Sequence, residues 1–158
     1  MSKFIPNERS KVYFAAALAD EDTVAAADIA SAVDLTPLLI SLNASSQGNT
    51  VPTPTIDTLF ETSIPGTVQA AFSADFYRDD DEDADIAWRT LPRGTQGYMI
   101  ISREGPADGV ELKASDKVEK WPVWVVSRTM SNMASNTPAA FTMQASVYQE
   151  PDEEVTLS

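Results

Sequence analysis

The chain contains no cysteine and no histidine. Without thiols it can form no disulfide and no thiolate metal site. Without imidazole it lacks the side chain that most often serves as general base near neutral pH and as transition-metal ligand. Positive charge is scarce too: 11 Lys and Arg stand against 24 Asp and Glu in 158 residues, a formal net charge of -13. Such a surface repels phosphate backbones, which argues against tight nucleic-acid binding. No stretch approaches the roughly 20 apolar residues of a membrane span, and Met1 to Asn7 carries no apolar segment of the secretory kind. The expectation is a chain made and kept soluble, with no membrane partner.

What is present is enough to build a core. Apolar residues make up 43% and aromatics 8%, and this length is most simply one domain, 1–158. Val68, Ala70, Phe72, Ala74 and Phe76 alternate with Gln69, Ala71, Ser73, Asp75 and Tyr77, the period of a strand buried on one face. The acidic run Asp79 to Asp83 suits a helix N-terminus, and Ala84, Trp88 and Leu91 follow at helical spacing; a packed helix is expected at about 80–91, ended by Pro92 and Gly94. Gly97 to Ser102 reads as a short apolar strand, Val118 to Arg128 as a long one bulged or at an edge near Pro122, and Phe141 to Tyr148 as a final alternating strand. Earlier, Val12 to Leu18 favours a strand, Thr23 caps a short helix from Ala25 to Val33, and Leu38 to Leu42 forms a second strand. The expected fold is mainly β, sandwich-like or barrel-like, with one packed helix and a short N-terminal one.

Three segments fall outside regular elements. A polar arm covers 1–10 and an acidic arm opened by Pro151 covers 150–158. Between 45 and 66, Gly48, Pro52, Pro54, Pro65 and Gly66 break the pattern, yet Val51, Ile56, Leu59, Phe60 and Ile64 are interspersed. Long loops of this kind are usually functional or disordered. The apolar side chains point to docking, and the competing reading is a flap folded over its own domain.

No residue set resembles a catalytic site. Asp79, Asp81 and Asp83 have the one-three-five spacing of a calcium loop, but Ala84 stands where glycine is needed and Thr90 where a bidentate glutamate is needed. Arg93 to Gly97 lacks the lysine of a phosphate loop and precedes a strand. Among so many carboxylates no glycosidase pair can be singled out. Trp88, Trp121 and Trp124 could stack on sugars, although core packing is the simpler use; Trp121 and Trp124, three positions apart on a strand, cannot both face the core. No enzyme activity, cofactor or metal is expected.

The strings Ser63-Ile64-Pro65-Gly66, Phe76-Tyr77 with its acidic sequel, Leu91 to Tyr98 and Val118 to Val123, in this order, resemble the major tail tube proteins of long-tailed, non-contractile bacteriophages, especially those infecting actinobacteria. The resemblance spans about Val12 to Tyr148. It implies a structural virion protein, assembled in the host cytoplasm into stacked hexameric rings whose lumen holds a tape-measure protein and conducts DNA during ejection. It also implies tail terminator and tail-tip proteins as partners. By the resemblance, segment 45–66 and the two arms bridge subunits, so Val51, Ile56, Leu59, Phe60 and Ile64 are the candidate contacts between copies. Asp75, on the polar face of the central strand, is the candidate lumen residue; an acidic chain suits a conduit through which a polyanion must slide. The rival readings are a decoration protein or head-tail connector of similar fold, and an acidic β-sandwich that binds carbohydrate.

Overall fold

The computed structural model describes residues 10–106, 111–131 and 134–158. Of the expected N-terminal arm only Ser10 is among them; its hydroxyl donates to the Arg103 carbonyl at 2.6 Å.

One antiparallel sheet of eight strands makes up the body. In chain order these are β1 (Lys11–Ala15), β2 (Val33–Asp34), β3 (Leu39–Pro52), β4 (Ser63–Tyr77), β5 (Gln96–Ser102), β6 (Lys117–Met130), β7 (Ala140–Val147) and β8 (Asp152–Thr156). Their spatial order is β2-β1-β5-β6-β7-β4-β3, and β8 joins the sheet at β6. The sheet is rolled. Arg103, just past β5, donates to the Ala44 carbonyl of β3 at 3.4 Å, whereas β5 and β3 stand four places apart and a flat sheet would separate them by roughly 19 Å. Ser46 of β3 likewise donates to Glu153 of β8 at 2.9 Å. The barrel-like, mainly β expectation is what the chain adopts.

Alternation decides what the roll buries. Phe72, Ala74 and Phe76 of β4 point inward with Trp121, Val123 and Val125 of β6 and with Phe141 and Met143 of β7. On the other face of β5, Ile100 packs with Val24, Ile29, Val118, Val155 and Leu157. Because β5 is covered on both faces, its sequence is continuously apolar rather than alternating. Trp121 is buried and Trp124 is exposed, as their opposed directions require. Pro122 lies between the part of β6 paired with β8 (Lys117–Lys120) and the part paired with β7 (Val123–Met130), where a missing N–H interrupts neither ladder.

Several expectations need correction. The first helix, α1 (Ala26–Ser31), is capped not by Thr23 but by Asp28, whose carboxylate accepts the Ala25 N–H at 3.0 Å; Val33 belongs to β2. The second, α2 (Ile86–Thr90), is much shorter than 80–91. Its intended start is consumed by turns: Asp79 accepts the Asp81 N–H at 2.9 Å and Asp81 accepts the Asp83 N–H at 3.0 Å. Aspartates bonding two residues onward offer the backbone an alternative to the helix, and here the alternative wins. The segment 45–66 is not an irregular loop, because β3 runs through Gly48 to Pro52 and β4 begins at Ser63. Nor does 150–158 extend as a free arm: β8 pairs with β6, and Val155 and Leu157 are buried.

Candidate assembly site

The long hairpin β3–β4 is the most unusual feature of the body. β4 pairs with β7 only from Ala71 to Tyr77, so Ser63 to Ala70 have β3 as sole neighbour and project beyond β7 by roughly 25 Å at the usual strand rise. Pro52 and Pro65 are tolerated here because each strand has a side without a ladder. Thr53 and Thr62 clasp the strands: the Thr53 N–H donates to the Thr62 carbonyl at 2.8 Å, and the Thr62 hydroxyl donates to the Thr53 carbonyl at 2.9 Å. Beyond the clasp, 54–61 form the tip, braced by the Thr55–Thr58 hydroxyl pair at 3.1 Å.

The candidate contact residues all sit on this projection. Ile56 and Leu59 are fully exposed, Phe60 is 78% exposed, and Val51 and Ile64 face each other across the strands at 49% and 53% exposure. Burying one such side chain is worth about 1.5–3 kcal/mol. Val68, missed in the sequence, extends the set. It continues the inward stripe of β4 past the point where the body ends, so Phe76, Ala74 and Phe72 are buried while Val68 is 67% exposed. The alternation found in the sequence could have flagged it, had the end of the covering strand been known.

The outward face of the same sheet is largely polar, with Ala71 and the half-exposed Trp124 as its apolar members. Three cross-strand rows run over β3, β4, β7 and β6: Ser41, Asp75, Thr142, Thr129; Asn43, Ser73, Gln144, Ser127; and Ser45, Ala71, Ser146, Trp124. In a chain so rich in carboxylates these rows hold one, Asp75, and no cation. Asp75 accepts the Thr142 hydroxyl at 2.6 Å and the Ser41 hydroxyl at 2.8 Å. Those bonds, Thr142 first, hold its carboxyl below the usual carboxylate range.

At the end of the barrel away from the hairpin, Trp88 of α2 meets the Phe141 ring edge-on at 5.1 Å. The guanidinium groups of Arg128 and Arg78 lie over the indole at 3.6 and 4.1 Å. Arg78 is paired with the buried Asp85 at 2.8 Å, and burial together with the Arg78 charge lowers the affinity of Arg128 for its proton. This cluster, invisible to sequence reading because its parts come from three distant segments, seals the core. Among the described residues no group of acids is placed to hold a metal ion, and no helix is long and apolar enough to cross a membrane.

Comparison with known proteins bears on this geometry. No curated protein matches the chain in sequence. In structure it is similar to a chain of the tail of an empty gene transfer agent particle resolved with C6 symmetry (12% identity, 96% of this chain and 98% of that one, TM-score 0.57). It is similar also to a chain of the anti-feeding prophage baseplate (12%, 96% and 95%, 0.56) and to one of the virion of the native gene transfer agent particle (11%, 78% and 89%, 0.54). At such identities the likeness speaks for the fold. The sequence itself goes further: the model of the phage tail tube protein family matches residues 1–158 from end to end, and the chain belongs to that family.

Proposed function

We propose that this tail tube subunit closes six-membered rings that stack into the tube of a long-tailed, non-contractile phage, and that the β3–β4 hairpin is its joint to other copies. The observation that carries the reading is the tip: Ile56, Leu59 and Phe60 are held clear of their own body on a clasped hairpin, where only another molecule can cover them. The C6 symmetry of the similar gene transfer agent tail supports the ring number. The arm 1–10 joins the hairpin as a second bridge. The product is a scaffold without catalytic chemistry, located in the virion tail.

The polar face of β3, β4, β7 and β6 lines the lumen in this reading. Apart from Ala71 and the half-exposed Trp124, its rows carry short hydroxyl and amide side chains without a cation, which offer phosphates no ion pair, and Asp75 adds one negative charge per subunit. A tape-measure protein fills that lumen before ejection and DNA slides through it afterwards; terminator and tip proteins close the two ends of the stack.

The test is the triple variant Ile56→Ser, Leu59→Ser, Phe60→Ser. Sedimentation and electron microscopy are expected to show loss of rings and tubes, with the thermal midpoint of the subunit unchanged because the side chains are exposed and belong to neither core cluster. Undiminished polymerisation, or an equal loss of subunit stability, overturns the reading.

A further inference from the structure

The tip accounts for one half of a contact. A polar, repeating stack joins unlike surfaces, so a subunit that offers a hairpin must also carry a surface that receives one. Of the six other large exposed apolar residues among the described ones, Trp124, Val126 and Tyr148 lie elsewhere and three stand at one edge. β3 starts, β4 ends, β6 ends and β7 starts at the edge of the sheet opposite the hairpin tip. At that edge stand Ile40 of β3, Tyr77 of β4 and Met130 of β6, each more than two-fifths exposed. Tyr77 is paired with Ala140 and Met130 with Phe141, one residue apart on β7, so their side chains reach this rim from opposite faces of the sheet. Beside Met130 a shallow cleft opens, lined by Arg78, Asp79, Asp80, Pro138 and Ala139.

We infer that this far edge, which carries Ile40 and Tyr77 and has the cleft beside Met130, receives the hairpin tip of a second copy. The inference rests on the hairpin being a joint, as proposed above. Three observations favour that occupant. First, tip and far edge lie at opposite ends of the same two strands, on the order of 45 Å apart at the usual rise, so no subunit can fill its own cleft. Second, the sizes agree. Six exposed side chains on the hairpin at roughly 100 Å² each supply most of the approximately 800 Å² per partner of an ordinary stable contact. Third, the cleft is bordered by a flexible methionine and a proline, a surface that suits an aromatic ring such as Phe60. Charge does not drive the contact: Asp57 and Glu61 flank the tip while Asp79 and Asp80 flank the cleft, and Arg78, which also lines it, is already paired with Asp85. The joint is apolar and works against mutual repulsion. Repeating it from copy to copy gives an open, polar stack with a free hairpin at one end and a free cleft at the other.

The absence of cysteine permits a clean test in the full-length chain. Phe60→Cys combined with Met130→Cys is expected, under mild oxidation of assembled protein, to give a ladder of covalent multimers on a denaturing gel. Each single variant is expected to stop at dimers or below. A second experiment separates this inference from the reading on which it rests. The variant Ile40→Ser, Tyr77→Ser, Met130→Ser and the tip variant are each expected to lose tubes, at least a tenfold drop in sedimented mass. Mixing the two is expected to restore short, capped assemblies, because one retains the tip and the other the cleft. If the far-edge variant still forms tubes while the tip variant does not, the joint stands and this receiving surface is wrong; if both still form tubes, the joint itself is wrong. No ladder from the double cysteine variant, or no rescue on mixing, also overturns the receiving surface. If the far-edge variant fails to fold, the cysteine ladder decides alone.

Discussion

Replacing Leu157 with alanine distinguishes a docked C-terminus from a free arm. Leu157 is 2% exposed and packs with Val24, Ile29, Leu112, Val118 and Val155. Its backbone is pinned on both sides: its N–H donates to the Asp116 carbonyl at 2.8 Å, and its carbonyl accepts the Ser115 N–H at 2.9 Å. The following residue is held as well, by Ser158 N–H to the Val24 carbonyl at 3.1 Å. A side chain so fixed cannot swing away to let the site collapse, which places the loss within the about 2–5 kcal/mol found for buried leucines. Proximity to the chain end, where fraying competes with docking, pulls the value toward about 2–3 kcal/mol. For a chain of this size that corresponds to a fall in melting temperature of about 5–10 °C. Thermal and urea unfolding of subunits kept unassembled by the tip substitutions would measure it, with the exposed Thr156→Ala as control. A shift below about 1 °C, equal to that of the control, would mean that the tail is not docked on the subunit, and the account of β8 would be wrong.

Gly97→Ala is expected to destabilise the subunit by about 1–3 kcal/mol, because an added Cβ would meet the Phe14 ring at 2.5 Å and the Ala15 carbonyl oxygen at 2.7 Å, and the latter is backbone that cannot step aside; urea unfolding checks it, and an unchanged midpoint would refute the close approach. Thr142→Ala is expected to raise the Asp75 pKa toward its ordinary value, read from the carboxyl carbon by NMR titration. The depressed folded value means that Asp75 contributes stability above its unfolded pKa and loses it as pH falls through the folded one, so the variant should also lose less stability on acidification. Tube formation is expected to rise with salt, because acids flank both proposed mating surfaces and the screening length shrinks from about 10 Å at 0.1 M to about 3 Å at 1 M; a fall in sedimented mass over that range would point to ion pairs as the joint.

The parts of the fold that could be read in the sequence are those where one strand face meets the core. β4 from Val68 to Phe76, β7 and the opposed directions of Trp121 and Trp124 all follow from period two alone. Where a strand leaves the body the signal vanishes. Ser46 to Pro52 have no buried face, so their composition is that of a loop, and strand geometry is imposed by pairing with β4 instead. β8 is similar: Asp152-Glu153-Glu154 reads as an acidic tail, and only the distant edge of β6 makes it a strand. The helix expected at 80–91 is present but shortened to Ile86–Thr90 for a local reason, since side-chain bonds of Asp79 and Asp81 compete with helix formation. For the site, the apolar residues of the hairpin were legible as a set without a home, and Asp75 as a polar-face carboxylate. The residues at the far edge were not, because only the register of four strands brings Ile40, Tyr77 and Met130 to the same end of the sheet.

A cryo-electron microscopy reconstruction of tubes assembled from the purified full-length chain tests the central claim most directly. The account predicts six subunits per ring, with Ile56, Leu59 and Phe60 of every subunit in contact with another copy. Tubes in which those side chains face solvent, or lie against their own subunit, would contradict it.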